Sequence, residues 1–173
     1  MASSRKNVLQ PSSQEDVNRF LQQVRSTALP AKRDGRARLI FGMDATASRE
    51  PLWDRACHIQ AQMFEATASM GGIEIQLAYY RGFGEFKAAP WAAEADVLQK
   101  RMTSIRCAAG QTQIRRLLKH ALEQARSKQG AVSALVFVGD CMEEDPDSLA
   151  QLAGELGILA VPVFLFQDGA DPI

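Results

Sequence analysis

Apolar positions along this chain fall into two alternating periods. Leu39–Met43 is a short continuous apolar run, the pattern of a buried strand. Trp53, Ala56, Ile59, Met63, Ala66 and Met70 then keep helical spacing, and Gly71-Gly72 ends that helix. Ile73–Arg81 is rich in Ile and Tyr, and Gly82 and Gly84 predict a hairpin into Glu85–Ala88. Ala95, Leu98, Met102 and Ile105 mark a further helix. Ile114, Leu117, Leu118, Ala121, Leu122 and Ala125 mark a strongly periodic one. Ala134–Val138 is an apolar strand. Asp145-Pro146 reads as an N-cap with proline at the first helical position. Leu149, Leu152, Ala153 and Leu156 continue that helix, with Gly157 as its stop. Ile158–Phe166 is a near-continuous apolar run and predicts a strand, which tolerates Pro162 only near its start or at an edge.

Alternating strands and helices predict an α/β fold from Leu39 onward: Rossmann-like and doubly wound, with a mostly parallel sheet covered by helices on both faces. The hairpin supplies one antiparallel edge strand. Residues Met1–Arg38 form a separate segment, ahead of a domain spanning Leu39–Ile173. In that segment Ser12 and Glu15 have capping-box spacing, and Val17, Phe20, Leu21 and Val24 give one apolar helix face. Pro30 stops this helix, and Ala31–Arg38 is a basic linker. A four-residue stripe cannot stabilise a lone helix, so this one must dock on the domain or on a partner.

Composition narrows the function classes. The 173 residues suit one domain with a substantial core, and 46% hydrophobic with 23% charged residues is ordinary for a globular chain. Twenty Lys and Arg balance 20 Asp and Glu, which argues against a dedicated nucleic-acid binder. No 18-residue apolar run and no signal-peptide core can be read, so neither a membrane span nor secretion is expected. Cys57, Cys107 and Cys141 are odd in number and widely spaced, as in reduced thiols of a cytoplasmic protein. The charge balance hides a gradient: Met1–Arg38 carries 8 basic and 3 acidic residues, Leu39–Ile173 carries 12 and 17.

In parallel sheets ligands bind at the carboxyl ends of strands, near the point where strand order reverses. Three loops qualify. The first strand ends in Asp44-Ala-Thr46-Ala-Ser48, the strongest helix is preceded by Ala108-Ala-Gly110-Gln-Thr112, and a later strand ends in Gly139-Asp140-Cys141-Met-Glu143-Glu144-Asp145. Asp44, Thr46 and Ser48 at i, i+2, i+4 aim one way in an extended segment, or wrap one centre in a tight turn. Hydroxyls with few carboxylates suit a small hard cation such as magnesium, which takes six oxygens. Such ligands leave the metal electrophilic. For the first motif the bland alternative is a helix N-cap cluster, and for Asp140 a turn residue.

This arrangement resembles the von Willebrand factor A domain and its metal-ion-dependent adhesion site. That pattern is D-x-S-x-S, a Thr in a second loop and an Asp in a third; Asp44-x-Thr46-x-Ser48, Thr112 and Asp140 match it in order. The resemblance covers roughly Leu39–Phe166, and the wording around Met43–Glu50, Trp53–Cys57 and Val138–Asp140 is similar to small stand-alone bacterial versions. It implies that Thr46 and Ser48 bind the metal directly and Thr112 directly or through water. It implies that Asp44 and Asp140 act largely through water and by orienting hydroxyls, with Mg2+ (or Mn2+ or Ca2+) as the cofactor. The open position would receive an Asp or Glu from a protein partner, without catalysis. Bacterial relatives of this type work as adaptors, including with ATP-driven remodelling enzymes. Two departures stand out. Thr46 replaces the commoner Ser, adding a methyl that tightens the loop. The chain also stops soon after Phe166, where the family continues with a helix and an edge strand, so a version truncated at its C-terminus is expected, with an open final strand.

A second reading treats Asp44-x-Thr46 and the acidic Asp140–Asp145 loop as a haloacid-dehalogenase-like phosphohydrolase, with Asp44 as nucleophile and Asp140 as magnesium ligand. Its usual Asp general acid is replaced by Thr46, and Lys119 and Lys128 lack a distinctive context. No G-x-G-x-x-G, G-x-x-x-x-G-K-[ST] or G-x-S-x-G motif occurs. Cys141 reads as a small buried residue, His58 and His120 as packing or surface residues, and Glu143–Asp145 as a solvated helix start. Trp53, Tyr79, Tyr80 and Trp91 read as core, and Arg81, Phe83 and Phe86 as candidates for exposed recognition.

Overall fold

A computed structural model describes residues 37–53, 57, 61–66, 73–127 and 132–167. The N-terminal amphipathic stripe, His58, part of the Trp53–Met70 pattern and the residues after 167 lie outside the described residues. The described elements run β1 (Ala37–Asp44), a 3-10 helix (Ala47–Leu52), helical residues 61–66, β2 (Ile73–Arg81), β3 (Glu85–Ala88), α1 (Ala95–Thr103), α2 (Ile114–Ala125), β4 (Val132–Gly139), α3 (Pro146–Ile158) and β5 (Val163–Gln167). No described helix is long and apolar enough to cross a membrane.

The sheet order is β3-β2-β1-β4-β5. β1 pairs in parallel with β2 and with β4, β4 pairs in parallel with β5, and only β3 runs antiparallel, at the edge beside β2. Strand order therefore reverses at β1 and β4, and Asp44 and Gly139 stand side by side at their carboxyl ends. That is the expected place for a ligand site in this topology.

Strand periodicity divides the core in two. Phe41 and Met43 of β1 join Ile75, Leu77 and Val136 on one face, covered by Leu98 and Met102 of α1 and by Trp53, Met63 and Phe64. Ile40 joins Ala78, Tyr80, Leu135 and Phe137 on the other face, under Leu117, Leu118 and Ala121 of α2 and Leu149 and Leu156 of α3. Gly42 allows that second face to close. A Cβ there would stand 2.3 Å from Leu117 Cδ2, so the absent side chain sets how near α2 lies to β1.

Two expected boundaries need correction. β1 begins at Ala37, two residues inside the basic linker. The apolar run Ile158–Phe166 is not one strand: α3 continues through Gly157 to Ile158, and only Val163–Gln167 joins the sheet. The stop comes three residues after the expected glycine, where Ala160 adopts φ 57°. Ala160 N–H donates to the Gly157 carbonyl and Val161 N–H to that of Leu156, the paired bonds of a Schellman cap. Buried Val161 shares a core cluster with Leu156, and that contact offsets the strain of a non-glycine residue in the left-handed region. Ile105 likewise follows α1 rather than ending it, but is buried beneath it.

His120 of α2 is a packing residue. Gln76 commits its amide nitrogen to the Ala89 carbonyl (3.0 Å) and presents its oxygen to His120 Nε2 (2.7 Å). The ring also packs against Phe86, with centroids 5.5 Å apart. Burial lowers the His120 pKa below its ordinary value, only partly opposed by Glu123. Below about pH 6.5 the unfolded chain therefore gains a proton here that the fold resists, and stability declines as pH falls through that value. Denaturant titrations at pH 7.5 and 5.5 will show a smaller loss on acidification for His120→Gln than for the wild type.

Candidate metal centre

The first loop is organised by Asp44, which is fully buried. One carboxylate oxygen, Oδ1, accepts from Thr46 N–H at 2.8 Å, and the other, Oδ2, accepts from the Tyr80 hydroxyl at 3.1 Å. Because β1 and β2 are in register with Asp44 opposite Tyr80, the phenol reaches across from the neighbouring strand. The Asx-type turn lifts Thr46 off the strand end, and the Thr46 and Ser48 hydroxyls meet at 3.1 Å. Thr46 is buried while Ser48 is exposed, so the pair spans from the interior to the surface. Burial raises the Asp44 pKa; bonds from Thr46 and Tyr80 counter this, and Asp140 adds to the rise.

The second loop is fixed to the first by an isolated parallel bridge between Thr46 and Ala108, with Ala108 N–H donating to the Ala45 carbonyl at 3.1 Å. It is fixed to the β2–β3 turn by Gly110, where a Cβ would come within 2.1 Å of the Gly82 carbonyl oxygen. Only glycine allows that backbone-on-backbone approach. Thr112 is buried and bound to the third loop in both directions: its N–H donates to Glu143 Oε2 at 3.0 Å, and its Oγ1 accepts from Glu143 N–H at 3.2 Å.

In the third loop Asp140 Oδ1 is buried without a protein hydrogen-bond partner. A buried acceptor left in that state is costly. Glu143 is exposed and Glu144 half-buried, but both do more than form the solvated acidic helix start expected from sequence. Glu144 takes the backbone N–H groups of Ile114 and Arg115 at the start of α2, the second at 3.1 Å to Oε1. A carboxylate there satisfies otherwise unpaired helix amides and complements the helix dipole. The 140–145 loop is thereby clamped onto the α2 start that carries Thr112. Asp145 does cap α3, accepting from Ser148 N–H at 3.0 Å.

Of the five candidate ligands, Asp44, Thr46 and Ser48 form one hydrogen-bonded chain, Asp140 leads the neighbouring loop after β4, and Thr112 is bonded to Glu143 of that loop rather than to the other four. Among the described residues no three His, Cys, Asp or Glu side chains could together hold a metal ion, so a cation here would depend on hydroxyl oxygens. The donor set is all oxygen, includes an unpartnered buried carboxylate oxygen, and fits a small hard cation. Thr46, Ser48 and Thr112 would supply the hydroxyls, with Asp44 and Asp140 holding them in place and balancing charge. Burial pushes the Cys141 thiol up to about 11, with Asp140 adding to it, which leaves a poor nucleophile at neutral pH.

Sequence reasoning missed four residues around the site. Tyr80 reads as core, and is, but its hydroxyl orients Asp44. Arg49 is buried to 1% exposure in the 3-10 helix that follows the motif. The Glu143 and Glu144 contacts join residues some 30 positions apart, and no local pattern announces them. The hairpin divides as well: Phe83 is 82% exposed, whereas Phe86 packs on His120 and Arg81 bonds to Glu85 and to the Arg106 carbonyl.

No family model and no curated protein matches this chain in sequence. Solved structures do match in shape. One is similar over 75% of this chain and 65% of its own, with 13% identity and a TM-score of 0.60: the conserved hypothetical protein BatB from Bacteroides thetaiotaomicron. An aerotolerance-related membrane protein from Bacteroides fragilis matches with 14% identity and a TM-score of 0.60, over 75% of this chain and 66% of its own. A von Willebrand factor type A structure from Catenulispora acidiphila matches with 13% identity and a TM-score of 0.58, over 76% of this chain and 33% of its own. This chain has the von Willebrand factor A fold. It spans just under two thirds of the two Bacteroides chains and a third of the Catenulispora one. In this von Willebrand factor A-like domain the three loops described above all open at the carboxyl ends of the parallel strands.

Proposed function

We propose that this domain is a cytoplasmic protein-binding module that uses a divalent cation, Mg2+ or else Mn2+ or Ca2+, to capture an Asp or Glu side chain of a partner. The observation that carries this reading is the Asp44–Thr46–Ser48 hydrogen-bonded chain set against the unpartnered buried oxygen of Asp140. The bound ion would supply an electrophilic site for an outside carboxylate. Thr46, Ser48 and Thr112 present oxygens, Asp44 fixes the loop that carries two of them, and Glu143 fixes the third. Phosphoryl transfer is the poorer fit. A nucleophilic Asp44 would have to present an oxygen to a phosphorus atom, whereas it is fully buried and each of its oxygens is turned onto a protein donor.

Calorimetric titration with Mg2+ tests the reading. The expected result is one saturable site per chain, abolished by EDTA and by Thr46→Ala, with no turnover of a generic phosphomonoester. Absence of Mg2+, Mn2+ or Ca2+ binding by the wild type, or phosphatase turnover lost in Asp44→Asn, would overturn it.

A further inference from the structure

An apolar groove of about 530 Å³ opens between α3 and β5, the last strand of the sheet among the described residues. Leu149, Ala150 and Ala153 form one wall, Val163 and Leu165 the other, and Phe137 the floor. Leu165 is 69% exposed and Ile158, at the end of α3, is 86% exposed. Isolated apolar residues on a surface are ordinary, but a contiguous apolar groove with an exposed Leu165 in one wall marks a binding surface.

We propose that this groove is the seat of the chain's own N-terminal segment, with Val17, Phe20, Leu21 and Val24 as the inserted face. Three observations select this occupant. The segment is the one stretch whose pattern requires an apolar surface to become a helix, since four apolar residues do not stabilise a lone helix in water. Its tether is long enough. Twelve residues, 25–36, separate Val24 from β1 and span up to about 40 Å when extended. The groove lies two strands, about 10 Å, from β1.

Charge is the third. Residues 1–36 hold seven Lys and Arg against three Asp and Glu, whereas residues 129–173 hold eight acidic side chains and neither Lys nor Arg. The segment and the stretch that builds α3 and β5 are therefore opposite in net charge, and the short tether keeps the segment at millimolar effective concentration. A second copy of the chain would bring the same acidic stretch against itself if it docked through this face alone. The proposal is independent of any cation, although the groove ends at Asp140 and Cys141.

Hydrogen exchange of the full chain, read by mass spectrometry in EDTA, tests it. The expected result is that peptides covering 12–27 and 158–167 both exchange at least tenfold faster in Phe20→Asp/Leu21→Asp than in the wild type, while β2 peptides do not change. Ala153→Trp, which fills the groove from the other side, is expected to release 12–27 equally, with circular dichroism confirming that each variant is folded. Unchanged exchange in folded variants overturns the proposal. So does protection that rises with protein concentration alongside a dimer mass, which would assign the groove to a second copy.

Discussion

Asp44→Ala is expected to lower the unfolding free energy by about 2–6 kcal/mol, because it strands two buried donors, each costing about 1–3 kcal/mol when unmade. Those donors are Thr46 N–H and the Tyr80 hydroxyl, and neither has solvent to turn to. Asp44→Asn separates architecture from charge. Its amide oxygen still accepts from Thr46, its amide nitrogen donates to a rotated Tyr80 hydroxyl, and a buried charge is removed. It should unfold within about 1 kcal/mol of the wild type, the scale of one hydrogen bond. Its Mg2+ affinity should still fall by about ten- to a hundredfold, the usual effect of losing a group that orients metal ligands. Denaturant unfolding in EDTA and calorimetry on the same samples distinguish the two effects. An Asn variant as unstable as the Ala variant would mean that the carboxylate charge, not the hydrogen bonds, holds the loop.

Phe41→Ala is expected to cost about 3–5 kcal/mol, the range for truncating a buried aromatic. Phe41 has no exposed surface and meets Phe64 edge to face, with centroids 5.3 Å apart and planes at 78°. In a chain of this length each kcal/mol moves the melting temperature by about 2–4 °C, so a scan should show a drop of about 6–20 °C. Phe41 lies in the central strand three residues before Asp44, so the same experiment shows how far the site depends on the β1 core. A drop under 3 °C would mean that the neighbouring side chains collapse into the space.

Much of this architecture could be read from the chain because pattern and packing agree. α2 was legible from Ile114, Leu117, Leu118, Ala121 and Leu122, all of which are buried. The hairpin was legible from its glycines, and the first loop from a compact motif whose members bond to one another. The end of α3 was not. Gly157 has the sequence of a helix stop, but the left-handed residue is Ala160, selected by burial of Val161 rather than by local preference. The helper groups were hidden for a related reason. Tyr80 and Glu144 matter through single atoms brought to the site from distant strands and loops, and periodicity reports which face a residue occupies, not what its polar tip touches. The five candidate ligands could be named because each sits at a strand end or helix start that the pattern had already located.

The bond from Tyr80 to Asp44 makes the molecule its own optical instrument. Only two tyrosines are present, adjacent in β2 and alternating between the two sheet faces. The Tyr80 ring is sealed from solvent, and its hydroxyl points at the carboxylate that organises the first loop. Any event that redistributes charge around Asp44 therefore alters the electric field along a chromophore that water cannot reach. The near-ultraviolet tyrosine bands then report loading of the site in an unlabelled chain, and Tyr80→Phe supplies the blank.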